Sequence, residues 1–391
     1  MPNDSQVMTR VPRILLLIET SKAYGRRLLE GIGRYAETHG RWSMYVEERG
    51  LHDRQPAWLK SWQGDGIIFR SMAPSMINAI RTSNVPAVDT NSKITDHGFP
   101  LVYADEQAIA RVAVEHFRGR GFVNVGFCAI ENDPWVTLRH DAYQAETTRH
   151  GFHCHCWLAP KANAGHGWER QSRQLSSWVD GLPKPIAIFA ANDVAGMRLV
   201  DACNRADVAV PEQVAVLGAD NDEVLDMLTS PPLSSIDPDA ARIGFEAARL
   251  LDRMIRGEPW PAEPLLIVPA GVVSRQSTDI TAVDDPQLAV ALTFIRHHAC
   301  DGISVDDVTR VVDVSRATLE RRFASHLNRT PKEEIFRVRM EHVERFVTRT
   351  DDSLAEIAGR TGFATASHLS TAFKRTFGKP PNDYRKDANR G

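Results

Sequence analysis

Short, largely apolar runs recur through the first 280 residues of this 391-residue chain, at 13–19, 42–46, 65–69, 85–88, 125–130, 186–190 and 214–217. Each is followed by a stretch with helical spacing, as at 23–39, where Tyr24, Leu28, Ile32 and Tyr35 form one stripe. A strand that faces water on one side alternates apolar and polar residues. A continuously apolar strand is covered on both faces, which in a chain alternating strand and helix means a parallel sheet between helices. There are too many such runs for one compact five- or six-stranded unit. The expectation is two α/β lobes joined by a hinge.

Open parallel sheets bind ligands beyond the carboxyl ends of their strands. Polar residues gather at those ends here. Thr20-Ser21-Lys22-Ala23-Tyr24 follows the first run, Asp105 follows 101–104, Asn192 and Asp193 follow 186–191, and Asp220-Asn221-Asp222 follows 214–219. Arg139 lies near the start of the helix after 125–130. An Asp or Asn after a strand can simply cap the next helix. Five such ends in one chain favour a ligand cleft. Carboxylates, an amide and a guanidinium beside Tyr24 and Trp135 suit a polyhydroxylated ligand such as a sugar. Its hydroxyls need charged donors and acceptors, and its C–H face suits an aromatic ring. The candidate ligand residues are Tyr24, Arg26, Asp105, Arg139, Asn192, Asp193 and Asp220.

Several runs resemble the sugar-sensing core of the lactose-repressor (LacI) family, which shares the periplasmic sugar-binding-protein fold. They are Asn192-Asp193, Val208-Ala209-Val210-Pro211-Glu212, Val216-Leu217-Gly218-Ala219-Asp220-Asn221-Asp222, Pro231-Pro232-Leu233-Ser234-Ser235-Ile236 and Arg139-His140-Asp141-Ala142-Tyr143. The resemblance covers roughly 13–278. It implies that Asp105, Arg139, Asn192 and Asp220 hold the effector. Pro238 departs from the pattern, standing where a polar contact is common. Only twelve residues precede the first run, where those repressors carry a DNA-binding headpiece, so no such headpiece is expected there.

Beyond 277–286 the strand signals stop and the apolar spacing becomes helical, as in Leu288, Ala291, Leu292 and Ile295. The charge changes with it. Residues 287–391 carry 18 Lys and Arg against 14 Asp and Glu, while 1–286 carry 29 against 36. The net charge of −3 is therefore +4 on one part and −7 on the other. The basic part also repeats itself. Ser304-Val305-Asp306-Asp307-Val308 returns as Ser353-Leu354-Ala355-Glu356-Ile357, and Leu319 and Phe323 return as Leu369 and Phe373. Each copy opens with a helix capping box, breaks at Asp313-Val314 or Gly362-Phe363, and resumes as a second helix, over 315–327 or 365–377. This is a helix-turn-helix, whose second helix enters the major groove. Arg316, Arg321 and Arg322 lie on the first such helix, and His368, Lys374 and Arg375 on the second. Arg pairs with guanine edges, and Lys and Arg neutralise phosphates. Ile335, Val338, His342, Val343 and Phe346 stripe a helix connecting the copies.

This region resembles the DNA-binding domain of the arabinose-regulator (AraC) family through Ile357-Ala358, Gly362-Phe363, Phe373-Lys374-Arg375, Phe377-Gly378, Pro380-Pro381 and Tyr384-Arg385. The resemblance implies base contacts from Ala317, Glu320 and Arg321 in the first reader, and from Ser367 and Thr371 in the second. Thr371 departs from the Arg common there, which leaves Lys374 and Arg375 mainly to phosphate.

A LacI-type sensor followed by an AraC-type reader is the layout of bacterial xylose-operon regulators. Arg13-Ile14, Lys22-Ala23-Tyr24, Ile295-Arg296 and His298-Ala299-Cys300 add to that resemblance. It implies a transcription activator with D-xylose as effector, acting on DNA as a homodimer together with RNA polymerase. The expected organisation is a tail at 1–12, the two-lobed sensor at 13–278, a linker at 279–287 and an all-α double helix-turn-helix domain at 288–391. The alternatives are a regulator of another sugar's catabolism, acting as a repressor or dual regulator, and a sugar-processing enzyme. The enzyme would need a positioned acid–base pair and would leave the repeat unexplained.

No window approaches the ~20 apolar residues of a membrane span. Five cysteines without a framework fit a reducing, cytoplasmic compartment. No cofactor is expected, because neither a dinucleotide fingerprint nor a P-loop is present. His153-Cys154-His155-Cys156 could suggest a metal. Successive side chains on a strand point to opposite faces, so the four cannot share one ion, and no metal site is expected.

Overall fold

The computed structural model describes residues 10–71, 73–91, 97–159, 168–280 and 285–388. It divides into two compact units, Met1–Ala206 with Ala215–Asp279, and Asp207–Val214 with Ile280–Gly391. Most of the expected tail, residues 1–9, and residues 281–284 of the expected linker lie outside the described residues.

In the first unit β1 (Arg13–Leu17), α1 (Ala23–His39), β2 (Ser43–Val46), β3 (Gly66–Phe69), α2 (Pro74–Ser83) and β4 (Ala87–Asp89) build a parallel sheet of order β2-β1-β3-β4. β1 and β3 lie inside it. Leu15, Leu17, Ile67 and Phe69 pack there against Met76 and Ile80 of α2. β2 is an edge strand and stays exposed along its length.

β5 (Val102–Ala104) and α3 (Glu106–Arg118) lead to a second lobe. It comprises β6 (Val125–Ala129), α4 (Pro134–Arg149), β7 (Cys154–Leu158), α5 (Trp168–Asp180), β8 (Ile186–Ala190), α6 (Asp193–Arg205), β9 (Val214–Ala219), α7 (Glu223–Leu228) and β10 (Ser234–Asp237). The chain then runs through α8 (Ala240–Ile255), β11 (Leu265–Ile267) and β12 (Gly271–Val273). The second sheet has the order β12-β10-β9-β8-β6-β7, in which β10 runs parallel to β9, β6 parallel to both β7 and β8, and β12 antiparallel to β10. β6, β8 and β9 are wholly buried, as continuously apolar strands should be.

α8 returns to the first lobe, and β11 pairs with β5, so the chain passes between the lobes more than once. This is the expected two-lobed sensor fold. The α1–α8 crossing depends on two glycines. A Cβ on Gly31 would lie 1.8 Å from the Ala241 carbonyl oxygen, and one on Gly244 2.0 Å from that of Leu28. Backbone cannot give way as a flexible side chain can. Gly244→Ala is therefore expected to cost at least ~1–3 kcal/mol, read as a fall in Tm, and an unchanged Tm would contradict the close crossing.

The second unit contains α9 (Pro286–His298), α10 (Val305–Val312), α11 (Arg316–Leu327), α12 (Pro331–Arg349), α13 (Leu354–Arg360), α14 (Ala366–Phe377) and α15 (Pro381–Ala388). The repeat holds at atomic detail. Ser304 and Ser353 each complete a capping box, with Asp307 and Glu356. Both turns contain a left-handed residue, Asp313 at φ 50° and Gly362 at φ 68°. The likeness also runs past the second helices. Asn328 (φ 51°) and Gly378 (φ 77°) end them, and Pro331 and Pro381 open the helices that follow.

Candidate functional site

One cleft of the first unit is lined by Glu19, Lys22, Tyr24, Leu51, Arg70, Glu106, Trp135, Arg139, Asn192 and Asp220. Its walls come from the carboxyl ends of strands in both lobes. Glu19 follows β1, Arg70 follows β3, Glu106 opens α3 after β5, and Asn192 and Asp220 follow β8 and β9. Lys22 reaches from the end of β1 to Glu131, beyond β6, at 2.8 Å.

Two arginines organise the cleft. Arg139 forks onto Glu106, with Nε donating to Oε2 at 2.7 Å and Nη2 to Oε1 at 3.0 Å, and Nη1 donates to the Ala191 carbonyl at 2.6 Å. Arg70 pairs with the fully buried Glu19 and lies over the Tyr24 ring, 4.6 Å from its centroid. Burial raises the Tyr24 hydroxyl pKa, keeping it a neutral donor. Glu19 Oε2 and Arg70 Nε are buried without hydrogen-bond partners among the described residues. Buried polar atoms are normally paired, so these two are open to a ligand.

Asp220 differs from the other acids. It sits at φ 115°, followed by Asn221 at φ 52°, so the backbone is held in a sparsely populated region where the strand ends. Its backbone N–H donates to Ile236, but none of the described side chains hydrogen-bonds its carboxylate. Burial pushes its pKa up to about 6, opposed by Arg139, Lys22 and Arg70. The cleft thus offers one unpaired carboxylate, two guanidiniums already neutralised, an amide and two aromatic rings.

Of the residues proposed from sequence, Tyr24, Arg139, Asn192 and Asp220 line this cleft. Asn192 also caps α6 through Ala195 N–H, so capping and lining coincide there. Three others are placed differently. Asp105 caps α3, accepting from Ala108 N–H at 2.9 Å, and the next residue, Glu106, faces the cleft. Arg26 is exposed and donates back to the Thr20 carbonyl. Asp193 is buried behind the cleft, accepting from Ser235 Oγ at 2.6 Å and Asp222 N–H at 2.7 Å. Glu19, Arg70 and Glu106 were not proposed from sequence. Arg70 directly follows β3 and Glu19 lies two residues past β1, and that position was the available signal.

In the second unit the exposed face of α11 carries Arg316, Ala317, Glu320 and Arg321, and that of α14 carries Ser367, His368, Thr371, Lys374 and Arg375. Leu319 and Phe323, and Leu369 and Phe373, bury the opposite faces. The arginines are not equivalent. Arg316 pairs with Glu320 at 3.0 Å and Asp306 at 3.4 Å, and Arg322 with Asp285 at 2.6 Å. Arg321 has no such partner among the described residues, and its guanidinium is free for a base edge or phosphate.

Residues 207–213, between α6 and β9 of the sensor, and Val214, which opens β9, belong to the compact unit of the reader helices. Within that unit Glu212 accepts from Arg296 of α9, from Nη2 at 2.8 Å and Nε at 3.2 Å. Both side chains are buried, and Glu212 Oε2 and Arg296 Nη1 have no hydrogen-bond partner among the described residues.

Three family models match consecutive parts of the chain. They are the XylR N-terminal domain at 13–105, the periplasmic binding protein-like domain at 114–278 and a helix-turn-helix domain at 308–387. The xylose operon regulatory protein of Haemophilus influenzae is 29% identical over 381 residues, covering 95% of this chain and 98% of that protein. Its counterpart in Escherichia coli strain K12 is 28% identical over 389 residues, covering 97% and 98%. The solved structure of the xylose-binding transcription activator xylR superposes with a TM-score of 0.83 at 28% identity, covering 97% of this chain and 99% of that one. A dimeric Lac repressor, at 18% identity and TM-score 0.55 over 69% of this chain, shares the sensor fold.

Proposed function

We infer that this chain, a periplasmic-binding-protein-like sensor joined to an AraC-type helix-turn-helix reader in the layout of the xylose operon regulatory proteins, is a xylose-responsive, sequence-specific transcription activator. The unpaired Asp220 carboxylate in the cleft carries the reading. A pentose presents adjacent hydroxyls to a carboxylate, an amide and guanidiniums, and its C–H face to Trp135 and Tyr24. Tyr24, Arg139, Asn192 and Asp220 hold the sugar directly. Arg26, Asp105 and Asp193 contribute through the local structure around the cleft rather than from its lining.

Sugar bound to both lobes favours the closed arrangement, and it can shift that equilibrium only by its differential affinity for closed over open. Segment 207–214 gives the shift a route. It is covalently continuous with α6 and β9 and is latched to α9 through Glu212 and Arg296. DNA is read by α11 and α14, with Arg316, Ala317, Glu320, Arg321 and Arg322 on the first helix and Ser367, His368, Thr371, Lys374 and Arg375 on the second. The chain acts as a cytoplasmic homodimer, whose paired readers bind two half-sites and recruit RNA polymerase. No helix among the described residues is long and apolar enough to cross a membrane.

Calorimetry with D-xylose, L-arabinose, D-ribose and D-glucose tests the effector. D-xylose should bind tightest, and absence of heat with all four would overturn the sugar reading. For the reader, Arg321→Ala should weaken operator binding by ~1–3 kcal/mol and relax preference at one base pair. An unchanged footprint and sequence preference would remove Arg321 from the base contacts.

A further inference from the structure

The His153-Cys154-His155-Cys156 run has no part in the sensor or reader described above, and the described residues hold no cluster of metal-binding side chains there. Strand geometry divides it. His153 and His155 stack edge to face on one side of the strand, with ring centroids 4.8 Å apart. On the other side the Cys154 and Cys156 sulfurs are 3.6 Å apart. β7 is an edge strand, hydrogen-bonded only to β6 within its sheet, and Cys156 is exposed. His140 of α4 stacks edge-on against Phe127 and bonds Asp141, and its imidazole favours a thiolate on Cys156.

We propose that Cys154 and Cys156 form a peroxide-reactive dithiol, in which Cys156 is the attacking sulfur, Cys154 the resolving one and His140 the positioning base. The geometry meets the requirements of such a pair. The attacking sulfur is open to solvent, the resolving sulfur is next to it, and an imidazole stabilises the thiolate. A hydrogen bond from Cys154, reinforced by His140, lowers the Cys156 thiol to about 6 against a partial burial that raises it. Cys154 is raised by the same contact and remains a thiol.

In the first step the Cys156 thiolate attacks one oxygen of a hydroperoxide and the O–O bond breaks. Cys156 becomes a sulfenic acid, and the departing hydroxide or alkoxide takes a proton from solvent. The Cys154 sulfur then displaces the sulfenic oxygen. An S–S bond forms, the S–O bond breaks and water leaves. Two thiols lose two electrons, and the hydroperoxide gains them. Alternate residues on an extended strand have Cα atoms ~6.6 Å apart, near the upper end of the ~4.4–6.8 Å range of disulfides. The product is therefore strained and easily reduced by a dithiol.

The other cysteines serve as internal controls. Cys128 and Cys203 are buried, with thiols raised by burial, and Cys300 is half-buried and also raised. Full-length reduced protein is treated with one equivalent of hydrogen peroxide, then analysed by thiol titration and peptide mass spectrometry. Two thiols should disappear, the peptide spanning 154–156 should lose two hydrogens, and dithiothreitol should restore both. Cys154→Ser should stop at a sulfenic acid on Cys156, trapped by dimedone, and Cys156→Ser should abolish the fast reaction. In untreated wild-type protein, iodoacetamide at neutral pH should label Cys156 about tenfold faster than Cys300. Oxidation first at Cys300, or equal labelling of Cys156 and Cys300, would overturn the proposal.

Discussion

Replacing Asp220 with Asn should weaken xylose binding at least ~10²-fold while making the sugar-free protein more stable. The two effects share one cause. The Asp220 carboxylate is held near the ends of β9 and β10 without a hydrogen bond from the described residues, in a setting where burial pushes its pKa up to about 6. A hydrogen bond to a charged group contributes ~1.5–3 kcal/mol, so a carboxylate serving two sugar hydroxyls contributes ~3 kcal/mol or more. That corresponds to at least ~10² in affinity. Without sugar, the same charge is a cost. Because the folded-state pKa is raised, the folded protein holds a proton that the unfolded chain has released between about pH 4 and pH 6. Stability contributed by this site therefore falls as pH rises through that window. Asn carries no charge and removes that cost, so Tm at neutral pH should rise. Xylose affinity in the wild type should also fall below pH 6, where Asp220 protonates. Calorimetry and thermal melts of Asp220→Asn read both effects. Unchanged affinity would remove Asp220 from the sugar site, and a lower Tm would contradict its buried, unpaired state.

The second large effect is expected at Arg296. Removing one partner of a buried ion pair leaves the other charge uncompensated, a loss of ~3–5 kcal/mol. Arg296→Ala strands Glu212, one of whose oxygens already lacks a partner. The second unit should melt earlier than in the wild type. If residues 207–214 carry the sugar signal, the ratio of operator affinities with and without xylose should also move towards one. The double variant Arg296→Met with Glu212→Leu separates the two effects. Buried ion pairs replaced by apolar side chains often keep stability, so this variant should regain Tm but not the xylose response. A full response in the stable double variant would show that the signal travels by another route.

Much of the sensor fold was legible in the chain. The apolar runs at 125–130, 186–190 and 214–217 became β6, β8 and β9, because a strand covered on both faces carries its burial in its composition. The helical repeat was equally plain, since capping boxes and turn residues act locally. β10 was hidden. Its Ser234 and Ser235 are buried, and they find partners in Arg275, Ser277 and Asp193, distant in sequence. The cleft was half legible for the same reason. The strand ends pointed to Asp220, Asn192 and Tyr24. At 105–106, however, the capping role fell to Asp105 and the inward position to Glu106, a difference of one helical step that spacing does not resolve. Arg70 and Glu19 are strand-end residues of β3 and β1, and they meet only because those strands are neighbours in the sheet.

The central claim is that sugar binding between the two lobes changes how α11 and α14 engage DNA. DNase protection of the DNA upstream of the neighbouring genes tests it most directly, with the full-length protein and with Asp220→Asn, each with and without D-xylose. The account predicts a salt-sensitive footprint of two half-sites that strengthens with xylose in the wild type and is indifferent to it in Asp220→Asn. A footprint identical with and without xylose in the wild type, or a xylose response that survives in Asp220→Asn, would contradict it.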